Sequence, residues 1–220
     1  MPGLTLVIGT RNYSSWSLRP WLLLRHLGLD FHERLVHLDT PAFASEVASL
    51  SPSRRVPVLL HGKTTVWESL AICEYASELA GGRGWPAQAH ERAHARAVAA
   101  EMHAGFGALR DSCPMNARAR NRRVPLTPGL ARDIDRIDRI WSGCRQEYAS
   151  RGPWLFGEYC AADAMFAPVA LRILTYGLVI SAGAAEYQQT VLADEHLREW
   201  TAAAEVEGVV VARDEAGVQD

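Results

Sequence analysis

Between residues 4 and 79 the apolar positions fall into short runs and helical stripes in a fixed order, and that order leaves few architectures open. Residues 4–8 form a short apolar run stopped by Gly9, the pattern of a buried strand. A polar stretch follows, and residues 18–27 then read as a helix. Ser17 is its expected N-cap, Pro20 falls in its first turn and Gly28 ends it. Residues 31–38 are a second strand, with its apolar load on Leu35, Val36 and Leu38. A strand–helix–strand unit of this length sets its strands parallel, with the helix on one face. Residues 40–50 read as a weak helix or loop. Residues 56–60 and 64–67 then flank His61, Gly62 and Lys63 as two strands around a tight turn. Residues 68–79 are helical, with Leu70, Cys73, Ala76 and Leu79 on the apolar side. The first unit is therefore βαβ followed by ββα.

The period changes after a glycine-rich stretch, Gly81, Gly82, Arg83 and Gly84, with Pro86 close behind. This divides the chain into domains at 1–82 and 88–220. The second half offers no strand except a weak one at 209–211. Helices are expected over 88–110, 128–148, 163–178 and 186–205. In the second of these, Leu130, Ile134, Ile137, Trp141 and Cys144 recur at spacings of four, three, four and three, a single helical stripe. The 163–178 segment is apolar nearly all round and belongs at the centre of its domain. The predicted fold class is an α/β domain followed by an all-α domain.

Composition narrows the function classes. The 220 residues carry 23 basic and 25 acidic side chains, a net charge of -2, so nothing collects polyanions and nucleic acid is not an expected partner. The basic residues are arginines except Lys63. The N-terminal residues lack the basic-then-apolar pattern of a signal peptide, and the 161–178 stretch is interrupted by Asp163 and Arg172, so neither export nor membrane insertion is expected. Cys73, Cys113, Cys144 and Cys160 form no CxxC pair and no metal-like cluster, which fits reduced thiols in the cytoplasm and no bound metal.

Pro57 demands an explanation, because a proline at the start of an apolar strand cannot donate to a ladder. It is either an ordinary first-residue proline or part of a cis Val56–Pro57 bond. The latter would turn the Val56 backbone groups outward toward a peptide-like ligand. In a βαβ-ββα unit the first and last helices can open their N-terminal ends into one cleft, and each end presents unpaired N–H groups and a partial positive charge. Ser14, Ser15 and Ser17 stand at the first end, Glu68 and Ser69 at the second. A hydroxyl at a helix end suits a carboxylate, and Glu68 suits an ammonium, so together they match an amino acid head group. Ordinary capping explains each of these residues singly.

Taken together, the segments 14–19 (Ser-Ser-Trp-Ser-Leu-Arg), 55–59 (Arg-Val-Pro-Val-Leu) and 68–72 (Glu-Ser-Leu-Ala-Ile) resemble the glutathione transferase superfamily over roughly residues 4–210. The serine loop resembles the zeta-like group and related bacterial branches. The resemblance implies a thioredoxin-like, glutathione-binding first domain and a helical second domain lining the pocket of a small electrophile. It implies that Ser14, with Ser15 as its rival, holds the glutathione sulfur. Val56 and Pro57 would present the backbone to the cysteinyl part, and Glu68 and Ser69 would hold the γ-glutamyl group. The candidate acceptor pocket is Tyr13, Trp16, Met102, His103, Phe106 and Tyr176. Glutathione is expected as co-substrate, and a homodimer is expected. Glutathione-dependent isomerisation or dehalogenation of small organic acids is one alternative, and a noncatalytic glutathione-binding or stress-regulatory role another. Two departures stand out. Cys160 replaces the Ser or Thr cap before the buried helix, with Asp163 kept three residues on. Tyr176 also stands about where the zeta-type isomerases carry an arginine, with Arg172 one turn earlier. Trp21, Trp67, Trp141 and Trp200 read as core, and residues 113–114 and 118–123 as an exposed connection. Arg19 faces either the cleft or solvent.

Overall fold

The computed structural model describes residues 3–219; the outer limits expected for the two domains, 1 and 220, fall outside it. The first half is βαβ followed by ββα. It runs β1 (Leu4–Gly9), α1 (Ser15–His26), β2 (Phe31–Val36), a short α2 (Phe43–Ala48), β3 (Val58–His61), β4 (Thr64–Trp67) and α3 (Ser69–Leu79). The sheet order is β2-β1-β3-β4; β1 is parallel to β2 and antiparallel to β3, with Val7 opposite Val58. Strand alternation sends Leu4, Leu6 and Ile8 into the main core, while Val7 packs with Val36, Val47 and Val58 on the other face.

The second half is helical: α4 (Ala89–Ala104), α5 (Gly107–Ser112), α6 (Pro128–Tyr148), α7 (Ala161–Tyr176), α8 (Ala182–Ala193) and α9 (Glu195–Val206). One small ribbon departs from this, β5 (Arg122–Arg123) pairing antiparallel with β6 (Val218–Gln219). Helix α7 is buried along nearly its whole length and packs on α1, α4 and α8, as its all-round apolar pattern predicts. Helix α6 spans the expected residues, with Thr127 accepting from the Leu130 N–H at 3.2 Å and Pro128 at the first position.

Several boundaries differ from expectation for local reasons. Helix α1 starts at Ser15, not after Ser17, because the Ser14 carbonyl accepts from both Ser17 N and Leu18 N. Ser17 is therefore inside the helix, where its Oγ accepts the Gly9 N–H at 3.0 Å, and Pro20 is interior too. The 88–110 segment breaks at Gly105, where a Cβ would lie 2.8 Å from the Glu101 carbonyl oxygen; Phe106 follows at φ 60°. The 186–205 segment divides at Asp194, which caps α9 by accepting from Leu197 N at 2.9 Å. On α3 the buried face is Ile72, Cys73 and Ala76, and Leu79 is exposed. Trp67 is 42 % exposed and not core, since β4 is an edge strand. All four cysteines are free and buried.

The start of α7 is fixed by Asp163, 1 % exposed. Its carboxylate accepts from Cys160 N at 2.9 Å, Leu155 N at 3.0 Å and Tyr187 Oη at 2.9 Å, so the reciprocal half of the capping box survives the Cys160 cap. Asp163→Ala strands three buried donors and is expected to destabilise the fold by about 2–4 kcal/mol, a loss of roughly 5–15 °C in Tm. Thermal and urea unfolding measure this, and a loss below about 0.5 kcal/mol would contradict it.

Candidate functional site

The loop after β1 brings the serines to the end of the strand. The Thr10 carbonyl accepts from Tyr13 N at 3.1 Å and Ser14 N at 2.9 Å, and the chain turns straight into α1. Ser14 stands at the N-cap position, yet its side chain makes no capping bond; its Oγ donates to Ser17 Oγ at 2.7 Å. Ser15 Oγ accepts from Arg172 Nη2 at 3.3 Å.

At the other helix start, Glu68 joins β4 to α3 at φ 69°, ψ 125°, a left-handed conformation that a residue with a Cβ adopts at a cost of about 1–3 kcal/mol. Ser69 follows at the first helical position. Its Oγ is buried and has no hydrogen-bond partner, in a residue only 1 % exposed. The Val56–Pro57 bond is cis, and Val56 precedes the β3 ladder, which begins at Val58.

These groups line two adjoining cavities. A narrow one of ≈ 270 Å³ is bounded by Val56, Pro57, Glu68, Ser69 and His103 with Ser53; a wider one of ≈ 670 Å³ holds Tyr13, Ser14 and Ser15. Trp16, Arg55 and Val56 belong to both walls, so the serine end of α1 and the Ser69 end of α3 open into one continuous groove. A larger cavity of ≈ 950 Å³ lies elsewhere, against α3 and α4. Its arginines are already engaged, as in the Arg96–Glu74 and Arg151–Glu91 pairs, and it contains neither helix tip.

The electrostatics of the groove are cationic. Two arginines approach the Trp16 ring, with the Arg19 guanidinium 4.1 Å and that of Arg110 5.3 Å from its centroid. Burial lowers the Arg19 pKa well below its ordinary value, and Arg172 and Arg110 push the same way. Burial also lowers the His103 pKa, with Arg19 pushing the same way and Glu68 opposing, which favours the neutral imidazole; its ring meets Trp16 edge-on at 5.4 Å. Its Nε2 is 3.7 Å from Glu68 Oε2. Burial lifts the Cys73 thiol to about 12, which keeps it protonated beside Arg19.

Of the expected pocket residues, Tyr13, Trp16 and His103 line the groove. Met102, on the buried face of α4, is fully buried, and Phe106, just after the break at Gly105, is 7 % exposed; both belong to the hydrophobic core. Tyr176 is also buried, donating to the Pro114 carbonyl at 2.9 Å, and it borders a different depression near α6. The 113–123 stretch is not a solvated connection. Cys113 is buried, Pro114 and Met115 border the wide cavity, and Arg118 donates to the Glu207 carbonyl and to Val209 O. Arg19, left open between cleft and solvent, is fully buried beneath Trp16.

Sequence reasoning missed the C-terminal arm. Glu207 accepts from Arg11 N at 2.7 Å, and Glu215 accepts from Tyr13 Oη at 2.6 Å and Asn116 Nδ2 at 2.8 Å, which lays Arg213 and Asp214 along the wide cavity. It also missed Arg55 and Arg110. Arg55 stood beside the Val-Pro pair, which was the available signal; nothing in the 107–112 segment marked Arg110. Among the described residues no group of His, Cys, Asp and Glu could hold a metal, and no helix is long and apolar enough to cross a membrane.

Comparison with known proteins agrees with this arrangement. Residues 13–79 match the family described as glutathione S-transferase, N-terminal domain. No curated protein sequence matches the chain. Among solved structures, a glutathione transferase homologue from Burkholderia gl BGR1, with bound glutathione, superposes with a TM-score of 0.70 at 24 % identity, covering 93 % of this chain and 100 % of that one. The Tau class glutathione S-transferase of mango, Mangifera indica, gives 0.69 at 17 % identity over 92 % and 96 % of the two chains. The glutathione S-transferase of Xylella fastidiosa gives 0.63 at 20 %, over 93 % and 100 %. From its sheet order, its helical second half and these likenesses, the chain has the fold of the glutathione transferases, with residues 13–79 matching their N-terminal domain.

Proposed function

We propose that the chain is a glutathione S-transferase, joining the thiolate of glutathione to a small electrophile. The observation that carries this is the buried, unpartnered Ser69 hydroxyl at the start of α3, opening into the groove that also contains Ser14 and Ser15. A buried hydroxyl without a partner costs about 1–3 kcal/mol and suits a ligand that restores the bond. The γ-glutamyl carboxylate does so, with the α3 N-terminus adding favourable potential and Glu68 taking the ammonium. Val56 offers backbone groups to the cysteinyl part. The glutathione held by the Burkholderia protein of the same fold supports the assignment.

Free glutathione has a thiol pKa near about 8.5, so the site must favour the anion. Ser14 is the proposed donor: it sits at a helix N-terminus without capping it, and turning from Ser17 frees its proton for sulfur. Ser15 is already committed to Arg172. The serine keeps its proton throughout. The thiolate attacks an electrophilic carbon, a C–S bond forms, and the leaving group departs with the bonding electron pair. Using serine at the helix tip is the sense in which the chain is zeta-like. A cytoplasmic homodimer is part of the same reading and is tested by sedimentation and cell fractionation.

Glutathione is expected to bind saturably by calorimetry. Ser69→Ala is expected to weaken binding about tenfold or more while making the unliganded protein more stable by about 1 kcal/mol, because the stranded hydroxyl is gone. No saturable binding at millimolar glutathione contradicts the proposal. Ser14→Ala is expected to lower turnover of chlorodinitrobenzene about 10- to 100-fold, with glutathione affinity nearly unchanged. The variant's pH–rate midpoint moves up toward the free thiol's value of about 8.5, since the lost donor favoured the anion. An unchanged rate and midpoint rules out Ser14 as the donor. Binding without turnover of any electrophile points instead to the noncatalytic role.

A further inference from the structure

Arginine clusters are ordinary at a surface and costly inside a protein, where an unpaired charge loses several kcal/mol of hydration. Three arginines from three helices meet here: Arg19 of α1, Arg110 of α5 and Arg172 of α7. Arg19 is 0 % and Arg172 3 % exposed. Among the described residues none of the three forms an ion pair with a carboxylate. Arg172 spends Nε on the Cys113 carbonyl at 2.8 Å and Nη2 on Ser15 Oγ at 3.3 Å, and its Nη1 is buried without a partner. Arg110 donates to the Met102 carbonyl at 3.2 Å. Burial first, then Arg110, brings the Arg172 pKa down to about 10, which still leaves it charged at pH 7.

The wall of the wide cavity has the same bias. Four arginines, Arg55, Arg110, Arg172 and Arg213, face two aspartates, Asp39 and Asp214. Three of the four, Arg110, Arg172 and Arg213, come from the helical half of the chain. In the transferase reading the γ-glutamyl carboxylate is taken by Ser69, and Arg55 lines both cavities at their junction. Arg172 and Arg110 line the wide cavity and not the narrow one at Ser69.

We propose that the second substrate is an electrophile bearing a carboxylate, gripped by Arg172 Nη1 and Arg110 so that its reactive carbon lies over the Ser14–Ser15 pair. The inference rests on the transferase reading and goes beyond it by naming the charge of the acceptor. Charge-assisted bonds to a buried guanidinium give orientation as well as affinity, and the same contact rejects a neutral analogue that leaves the guanidinium unpaired.

The probes are chlorodinitrobenzoate and the chlorodinitrobenzamide of the same ring pattern. In both, sulfur bonds to the ring carbon, the C–Cl bond breaks and chloride leaves with the electron pair. Each kcat/KM is divided by the uncatalysed rate constant with free glutathione. The native protein is expected to favour the benzoate by about tenfold or more, and Arg172→Met and Arg110→Met are each expected to reduce that ratio severalfold. A native ratio near one overturns the proposal. So does a variant ratio equal to the native one, since a structural or thiolate-stabilising arginine slows both substrates together. Loss of glutathione affinity in both variants also overturns it, because the arginines then hold the tripeptide. Should Arg172→Met fail to fold, Arg110→Met and competition on the native protein by unchlorinated dinitrobenzoate against dinitrobenzamide decide the matter; equal inhibition contradicts the proposal. Calorimetry with glutathione alone keeps the two readings apart: binding with no charge discrimination removes only this one.

Discussion

The burial of α7 against α1 fixes how the two halves of the chain meet, and the groove is a product of that contact. Helix α7 is apolar on nearly every side, so it can only sit at the centre of the helical half, with α1 closing one flank. Once it is there, Arg172 reaches Ser15, and the residues around Cys113 are drawn in under its Nε. Asp163 determines where the helix begins and so which turn carries Arg172 to the groove. The tip of α1 is held from the sheet side by the Gly9 N–H to Ser17 Oγ bond. The serines therefore stand between a rigid sheet and a rigid helix, which is where a positioned donor is most effective.

Stability has been given up at the groove in several separate ways. Ser69 is buried without a partner, Glu68 occupies a left-handed conformation, and buried arginines lack counter-ions. Each contrasts with sites such as Thr127 and Asp194, whose side chains accept N–H groups at helix starts, and Asp163, whose buried carboxylate is bonded three times, although Trp141 Nε1 and Tyr159 Oη are also buried without partners away from the groove. Their concentration along one groove is more informative than any of them singly. The ≈ 950 Å³ cavity is larger, but its charged side chains already answer one another.

Much of this was legible in the sequence because it was local. The hairpin around Gly62, the stripe of α6 with its Thr127 cap, and the apolar circumference of α7 all follow from periods and turn residues within one segment. The serines, the Val56–Pro57 pair and the Glu68–Ser69 pair were legible as a combination, and the groove joins their walls. What failed depended on distant partners. Ser17 has the chemistry of a cap, but a bond to Gly9 draws it inside the helix. Met102 and Phe106 have the character of pocket residues, but Met102 from α4 and Phe106 from the turn after it pack into the main core and do not line the groove. Arg118 and Arg122 read as solvated until the C-terminal arm, with Glu207 and Glu215, returns to meet them. Arg19 and Arg172 lie in apolar helices, where no local signal distinguishes a charge facing solvent from one facing a site.

The central claim is that two helix tips hold one tripeptide, by its charged head at one and its sulfur at the other. The most direct measurement is a crystal structure of the protein soaked with glutathione. The account predicts a γ-glutamyl carboxylate oxygen about 3 Å from Ser69 Oγ and the sulfur within hydrogen-bonding reach of Ser14 Oγ, in a single molecule spanning the groove past Val56. Glutathione bound in the cavity against α3 and α4, or in the groove with its sulfur turned away from both serines, would contradict it.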